Sequence, residues 1–323
     1  MSNLLRRWRA TWHPDEYHGW GREKRYFEGW YFKVIDAAQT QALAFIPGIS
    51  MDEKGQKHAF IQVMNGKRHE AQYHRFEADQ FLPSDHSFLV QLGENYFSRD
   101  AFKVNLPGVK GEIRSSGHSL WPKMLGAPGI MGWYSFVPFM QCFHGIVSMN
   151  HQLEGSLEID GRSYDFNGGK GYIEKDWGHS FPKAYIWMQC NHFAGGEGSS
   201  LMASVAHIPW LGSHFIGFIC GFLHEGKLHR FATYTGARKE LTIAKDTVQL
   251  SFINPKTELR IYARQAAGVA LVSPLSGAMS GKIQESLETE IQVEFLENGK
   301  RVFEGKGTSA GLELAGALEL LLS

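Results

Sequence analysis

Short apolar runs recur along the whole chain, and polar or turn-forming residues separate them. The clearest ten runs are rich in the β-branched and aromatic residues that favour strands. They cover residues 30–35, 42–46, 59–64, 88–92, 155–159, 186–192, 200–207, 215–222, 248–253 and 291–295. Asn-Gly or Asp-Gly dipeptides at residues 65–66, 160–161 and 298–299 stand between such runs, which is typical of a two-residue hairpin. The pattern predicts an all-β fold of antiparallel sheet, arranged as a sandwich or a barrel.

A weak internal repeat sets the predicted number of domains. Trp30 begins one copy and the tripeptide His-Arg-Phe at 74–76 ends it, with strand-like runs between them. The second copy begins at Trp187 and ends with His-Arg-Phe at 229–231, so the two matches are offset by 157 and 155 residues. This shared order predicts a duplicated β-barrel-like unit with its boundary in the Gly168-Gly169 turn. The predicted domains are residues 1–168 and residues 169–323.

Composition and charge narrow the class of protein. The 33 basic residues balance the 33 acidic residues, so the formal net charge is zero. Because phosphate binding needs a surplus of Lys and Arg, we expect no nucleic-acid partner. Aromatic residues make up 13% of the chain and glycines number 36, which fits strands joined by tight turns.

The cysteines and the N-terminus bear on the compartment. Cys142, Cys190 and Cys220 are odd in number and lie in apolar surroundings, which predicts reduced thiols. The arginines at positions 6, 7 and 9 are followed by no apolar stretch of signal-peptide length. We therefore expect a cytoplasmic protein. Peripheral contact with a membrane through the Arg-rich start stays open at this stage, as does the oligomeric state.

Common catalytic signatures are absent from the sequence. It contains no Gly-x-x-x-x-Gly-Lys-Ser/Thr loop, no Gly-x-Ser-x-Gly elbow and no His-Glu-x-x-His helix. The 15 histidines form no paired metal-ligand spacing with cysteines or carboxylates along the chain. We therefore expect neither a metal nor another cofactor.

Polar residues inside aromatic stretches mark the candidate site. Glu28 stands in one such stretch, residues 27–33, where an unpaired charge would be costly. If residues 171–177 form a strand, Tyr172, Glu174 and Asp176 share one face, and Ile173, Lys175 and Trp177 share the other. In the same way Trp187, Gln189 and Asn191 share a face of the next strand. An aromatic cavity with a few convergent polar groups is the usual form of a small-molecule site.

Purely structural roles explain the same residues. Glu174 and Lys175 would then form an ion pair, and Gln189 and Asn191 would satisfy backbone groups at a bulge. The large aromatic side chains would be core packing, as is common in β-barrels: Trp30, Trp177 and Trp187.

The motifs resemble those of the tocopherol cyclase family. The matching segments are residues 27–33, 45–48, 60–63, 171–178, 181–182 and 187–193. Glu-Lys-Asp-Trp-Gly at 174–178 is the most specific of them, and the resemblance extends from about Pro14 to the end of the chain. It implies two lipocalin-like antiparallel β-barrels in tandem, akin to those of carotenoid hydratases.

The resemblance also implies a reaction. A cyclase of this kind closes a chromanol ring on a prenylated hydroquinone, a small hydrophobic molecule, without a redox cofactor. It protonates the prenyl double bond, and a ring hydroxyl captures the tertiary carbocation. The acid needs a pKa raised by burial, and aromatic faces stabilise the cation. The candidate acids are Glu174, Asp176 and Glu28, and the candidate substrate-binding residues are Trp30, Tyr31, Tyr172, Trp177, Trp187, Gln189 and Asn191.

Departures from the plant pattern refine these expectations. Plant members carry Asn at the position of Asp176, which makes Glu174 the first choice for the acid. The chain lacks their chloroplast transit segment, so we expect a bacterial relative. Two alternatives stay open: a hydratase that uses the same acid with water as nucleophile, and a non-catalytic lipocalin-like carrier of a hydrophobic ligand.

Overall fold

The computed structural model describes residues 1–322, and the chain divides into two compact units. The first comprises Met1–Phe181 and Leu271–Lys282, and the second comprises Pro182–Ala270 and the chain from Ile283 onwards. Each unit is built on one large antiparallel sheet and has its own hydrophobic core. The prediction of an all-β fold with two antiparallel, barrel-like sheets is confirmed.

The first unit opens with one α-helix, α1 (Asn3–Trp12), which the strand pattern did not predict. Its strands are β1 (Tyr26–Ile35), β2 (Ala42–Met51), β3 (Lys57–Asn65), β4 (Glu70–Phe76), β5 (Phe81–Pro83), β6 (Leu89–Leu92), β7 (Asn95–Ser98), β8 (Ala101–Leu106), β9 (Val109–Ser116), β10 (Cys142–Ile159), β11 (Arg162–Asp165) and β12 (Lys170–Gly178). Short 3-10 turns cover Ala78–Gln80 and Gly132–Phe136. The sheet order is β4-β3-β2-β1-β12-β10-β9-β8-β7-β6-β5, and β11 pairs with β10.

In the part of the chain that the structure describes, the second sheet has ten strands. Its strands are β13 (Ala184–Cys190), β14 (Ser200–Trp210), β15 (Ser213–His224), β16 (Lys227–Ala232), β17 (Arg238–Ala244), β18 (Thr247–Ile253), β19 (Thr257–Arg264), β20 (Val269–Leu275), β21 (Ala278–Glu297) and β22 (Lys300–Gly316). Short 3-10 turns cover Thr233–Thr235 and Leu318–Leu321. The order is β16-β15-β14-β13-β22-β21-β19-β18-β17, and β20 pairs with β21. No helix among residues 1–322 is long and apolar enough to cross a membrane.

The two sheets have matching topology at the strands that carry the internal repeat. In the first, the meander β1 to β4 is joined through β1 to β12 and then β10. In the second, the meander β13 to β16 is joined through β13 to β22 and then β21. Trp30 and Trp187 lie on the equivalent strands β1 and β13, and the His-Arg-Phe tripeptides lie at β4 and β16.

The change from one unit to the other falls at Phe181 and Pro182, later than the Gly168-Gly169 turn. Strand β12 follows that turn and pairs with β1 and β10 in the first sheet. Hydrogen bonding to its neighbours therefore keeps the segment after residue 168 in the first unit.

Two of the three predicted Asp-Gly and Asn-Gly dipeptides form two-residue hairpin turns. Asp160-Gly161 joins β10 to β11 and Asn298-Gly299 joins β21 to β22, and all four residues have the positive φ of a type I′ turn. Asn65-Gly66 instead begins a four-residue loop, because β3 ends at Asn65 and β4 begins at Glu70.

Candidate active site

Strand β12 presents different chemistry on its two faces. It lies between β1 and β10, with Glu174 opposite Tyr31 on β1 and Asp176 opposite His144 on β10. One face of β1 and β12, here called the core face, contributes Trp30 and Trp177 to the first hydrophobic core. The other face carries Tyr31, Glu174 and Asp176, because side chains alternate along a strand.

Glu28 lies fully buried on the core face and is surrounded by donors. Its carboxylate accepts the backbone N–H of His18 at 2.9 and 3.0 Å and that of Gly19 at 3.0 Å. The Tyr26 hydroxyl donates to it at 2.5 Å, and the Lys175 ammonium lies 2.5 Å from Oε1. These contacts fix the segment around His18 against the sheet.

Lys175 completes this buried pair. Its Nζ donates to the Glu16 carbonyl and lies 4.7 Å from the centres of the Trp30 and Trp177 rings. The sequence left open an ion pair between Lys175 and Glu174. Lys175 instead pairs with Glu28 on the neighbouring strand, since adjacent residues of one strand point to opposite faces.

The electrostatics of the core face favour an ionised Glu28. Burial by itself would raise the pKa of Glu28, but the charge of Lys175 and the donors around His18 outweigh it and hold that pKa below its ordinary value. Burial lowers the pKa of His18, and the charge of Lys175 lowers it further, so the ring is neutral at pH 7. Burial raises the pKa of the Tyr26 hydroxyl well above 10. Glu28 is thus suited to holding a charge rather than to releasing a proton.

The opposite face carries a second cluster, of five titratable groups. The Tyr172 hydroxyl donates to Glu174 Oε2 at 2.5 Å, and both side chains are buried. His144 Nε2 lies 3.4 Å from that same oxygen, and His144 Nδ1 lies 2.8 Å from Asp176 Oδ1. Asp176 is partly exposed, and the Cys142 thiol lies 3.9 Å from its Oδ1. His144 therefore lies between a buried carboxyl and a partly exposed one, and it hydrogen-bonds to the partly exposed one.

His144 is the group whose protonation this geometry changes most. Burial by itself would lower the pKa of His144, but the charges of Asp176 and Glu174 and the hydrogen bond to Asp176 raise it to about 9. Burial raises the pKa of Tyr172 well above 10, and the charge of Glu174 adds to that shift. At neutral pH the ring is thus an imidazolium, with an N–H on each nitrogen, between the two carboxyl groups.

The spacing of this cluster also suits a metal ion. Ligand atoms of His144, Glu174 and Asp176 lie within 4.8 Å of one another. The sequence did not reveal this group, because β10 and β12 bring it together only through sheet pairing. The same His144 Nδ1 lies 2.8 Å from Asp176 Oδ1, so a hydrogen bond joins two of the three residues.

The remaining sequence-predicted residues lie in the second unit, on or just after β13. Trp187, Gln189 and Asn191 are all buried. Trp187 packs close above Gly311 of β22, where an added Cβ would lie 2.7 Å from the ring. Asn191 Oδ1 lies 3.0 Å from His192 Nδ1. The structure thus groups Tyr31, Tyr172, Glu174 and Asp176 in one unit and these three residues in the other.

Two histidines of the candidate site were not predicted from the sequence. His144 and His18 stand in stretches with no recognisable motif, at 142–145 and 17–19. The ring of His18 stacks on Trp177 at 4.1 Å, and His144 meets Asp176 only because β10 pairs with β12. A buried carboxylate in an apolar strand needs a polar or charged partner. This requirement is the sequence feature that points to a histidine on a neighbouring strand.

A family model described as tocopherol cyclase-like matches residues 118–316, which include β10, β12 and β13. The chain belongs to the tocopherol cyclase-like family. Its curated relatives include a probable chloroplastic tocopherol cyclase of Oryza sativa subsp. japonica, 23% identical over 93% of this chain and 77% of the relative. A chloroplastic tocopherol cyclase of Zea mays is 24% identical over 68% of this chain and 58% of the relative.

Solved structures agree on the fold of this tocopherol cyclase-like chain. The crystal structure of CghA with Sch210972 superposes with a TM-score of 0.59, at 10% identity over 90% of this chain and 89% of that one. Kievitone hydratase from Nectria haematococca gives a TM-score of 0.51, at 12% identity over the same shares. At these identities the likeness is one of fold.

Proposed function

We propose that this chain is a tocopherol cyclase-type enzyme that closes a chromanol ring on a prenylated hydroquinone. One observation carries the proposal: in a member of this family, the buried Glu174 carboxyl lies between a tyrosine hydroxyl and a histidine that shares a proton with a second carboxyl. Such a cluster can supply a proton to a weak base and take one back.

The reaction balances without an oxidant or a reductant. Glu174 gives its proton to the less substituted alkene carbon, a C–H bond forms, and the neighbouring carbon becomes a tertiary cation. The phenol oxygen attacks that carbon, a C–O bond forms, and the hydroxyl proton returns to the carboxylate cluster. Substrate and product are isomers.

His144 supplies the proton that Glu174 needs. At neutral pH the cluster holds this proton on the imidazole, whose pKa is about 9. An apolar prenyl chain in the site removes water, and a charge-separated pair then becomes less favourable than a neutral one. Transfer from Nε2 to Glu174 Oε2 yields the carboxylic acid, while Asp176 orients the ring through Nδ1 and connects it to solvent.

The aromatic residues divide between two tasks. Tyr31 lies opposite Glu174 on β1 and Tyr172 donates to it, so we assign both to the cation-stabilising wall. Trp30 and Trp177 lie over the Lys175 ammonium on the core face, so we assign them to the buried ion pair. Trp187, Gln189 and Asn191 stay predictions for the substrate site.

We further propose the cytoplasm as the compartment. The support is the state of the cysteines, all three of which are free thiols. Secreted domains generally use disulfides, whereas reducing compartments keep thiols reduced.

The experiment is incubation of the purified protein with dimethyl-phytyl-benzoquinol in deuterated buffer, followed by mass spectrometry. A chromanol with one non-exchangeable deuterium supports acid-initiated cyclisation. A side-chain alcohol with the mass of added water would instead assign a hydratase. Unchanged quinol bound stoichiometrically to the protein would assign a carrier.

Two variants make the test specific. Glu174→Gln keeps the shape of the side chain and removes its proton, so the deuterated product should disappear. Glu16→Gln is the matched control, because Glu16 is a buried carboxylate that accepts two hydrogen bonds from Arg9, at 2.9 and 2.7 Å. Equal losses in both variants would contradict the role of Glu174.

A further inference from the structure

Helix α1 turns Arg6 and Arg9 towards the protein and exposes three of its apolar side chains, Leu4, Leu5 and Trp8, to solvent. Arg6 Nη2 lies 2.6 Å from Asp85 Oδ2, and Arg9 is held by Glu16. Leu4 and Trp8 are 76% and 68% exposed, one turn apart on the same face. A surface helix ordinarily buries its apolar stripe and exposes its charges. The inverted orientation leaves an apolar face without a covering element among residues 1–322.

A second apolar segment, residues 117–141, adjoins the end of this helix. The rings of Trp12 and Phe136 pack edge to face at 5.2 Å, and Lys123 Nζ lies 3.1 Å from His13 Nδ1. At the tip of the segment Leu125 is 99% exposed. Helix α1 and residues 117–141, together called the basic apolar surface, thus form one continuous region of the first unit.

The charge of this surface is one-sided. Residues 1–14 and 117–141 contain Arg6, Arg7, Arg9 and Lys123 but no Asp or Glu, although acidic and basic residues balance over the whole chain. Asp85 and Glu16 neutralise two of the arginines from outside the surface. Arg7 and Lys123 are left beside exposed leucine and tryptophan side chains. This combination is typical of helices and loops that lie in the headgroup region of a bilayer.

We propose that the basic apolar surface docks the protein on anionic lipid bilayers. The proposal deepens the proposed function, because a prenylated hydroquinone is a membrane-soluble substrate. A second copy of the chain fits less well, since a two-fold contact would place this surface against itself and oppose basic residues that lack acidic partners. A bilayer supplies both the apolar layer and the negative charge.

The test is flotation of the full chain with vesicles of phosphatidylcholine and phosphatidylglycerol at 7:3, compared with phosphatidylcholine alone. We expect binding to the anionic vesicles that weakens as salt is raised. Leu125→Glu and Trp8→Glu should each weaken it by about tenfold or more, because each places a charge where an apolar side chain would enter the interface.

The matched control is Leu211→Glu. Leu211 is 77% exposed at a turn of the second unit, so this variant adds the same charge at another strongly exposed leucine. It should bind vesicles as the wild type does. Circular dichroism melts of all variants check that the fold is retained. We expect it to be retained because the three positions are solvent-exposed.

Three outcomes would overturn the proposal: wild-type protein that stays unbound at low salt, equal losses in Leu211→Glu and Leu125→Glu, or a dimer that Leu125→Glu dissociates in place of vesicle binding. The cyclase assay with detergent-dispersed quinol separates this result from the proposed function. Activity retained in detergent with no vesicle binding overturns the docking surface alone. Vesicle binding without cyclisation would support the docking surface and contradict the proposed cyclase reaction.

Discussion

Two buried glutamates lie on opposite faces of the same strand pair, and their partners give them opposite chemistry. Glu28 on the core face receives three hydrogen-bond donors and the Lys175 ammonium. Glu174 on the other face has the Tyr172 hydroxyl and the edge of His144. Both carboxyl groups are nearly inaccessible to water.

Burial is therefore a poor guide to which carboxyl acts as an acid. A lysine in contact with a carboxylate keeps it ionised, and the pair then holds the structure together. A histidine in contact with a carboxyl group can exchange a proton with it, because both groups bind and release protons. We therefore propose a structural role for the core face and proton transfer for the other face.

The largest effect should come from Glu174→Gln. We expect turnover to fall by about a thousandfold or more, because the variant has no proton to give to the alkene. The midpoint of urea unfolding should change little, since the amide keeps the shape and can still accept the Tyr172 bond. Single-turnover assays and urea titration measure the two quantities, and near-normal turnover would remove Glu174 from the mechanism.

Glu28→Gln should have the reverse profile. It leaves Lys175 buried without its counter-charge, and we expect a loss of about 3–5 kcal/mol in the free energy of unfolding. The double variant Glu28→Gln, Lys175→Met removes both charges and should recover much of that loss. Urea unfolding compares the variants. If Glu28→Gln is as stable as the wild type but does not turn over substrate, Glu28 and not Glu174 would have the catalytic role.

His144 should make stability depend on pH in the alkaline range. Its pKa in the folded state, about 9, lies above the ordinary value of 6.5. The stabilisation is therefore complete below pH 6.5 and is lost as the pH rises through 9, a fall of up to about 3 kcal/mol. His144→Gln should abolish this slope. It should also lower the rate by about tenfold or more and remove the decline of activity above pH 9, which a merely structural histidine would not control.

Tyr172→Phe should have the smallest effect of the four. The change removes one O–H donor from Glu174 Oε2 and leaves the ring in place. We expect about 1 kcal/mol less stability and a decrease of several-fold in rate. A loss as large as that of Glu174→Gln would make the tyrosine, rather than the glutamate, the group that transfers the proton.

Much of the fold was accessible from the sequence because strands leave local signals. Each of the ten predicted runs lies in or overlaps a strand, and the Trp30 to Trp187 repeat matches the equivalence of β1 and β13. Helix α1 was not predicted, although Leu4, Trp8 and Trp12 recur at helical spacing, because the N-terminus was interpreted only as an Arg-rich segment. The alternation of 171–177 gave the two faces of β12, which placed Glu174 and Asp176 together.

The sequence by itself determined the strands, two of the three predicted two-residue turns and the membership of Glu174 in a polar face, because these depend on residues close together in the chain. Only the tertiary structure decided that Lys175 forms an ion pair with Glu28 and that His144 contacts Glu174 and Asp176. Sheet pairing joins β12 to β1 and to β10 across long stretches of chain. The protonation of a buried carboxyl depends on the charges within a few ångströms of it, and spacing along the chain does not record those neighbours.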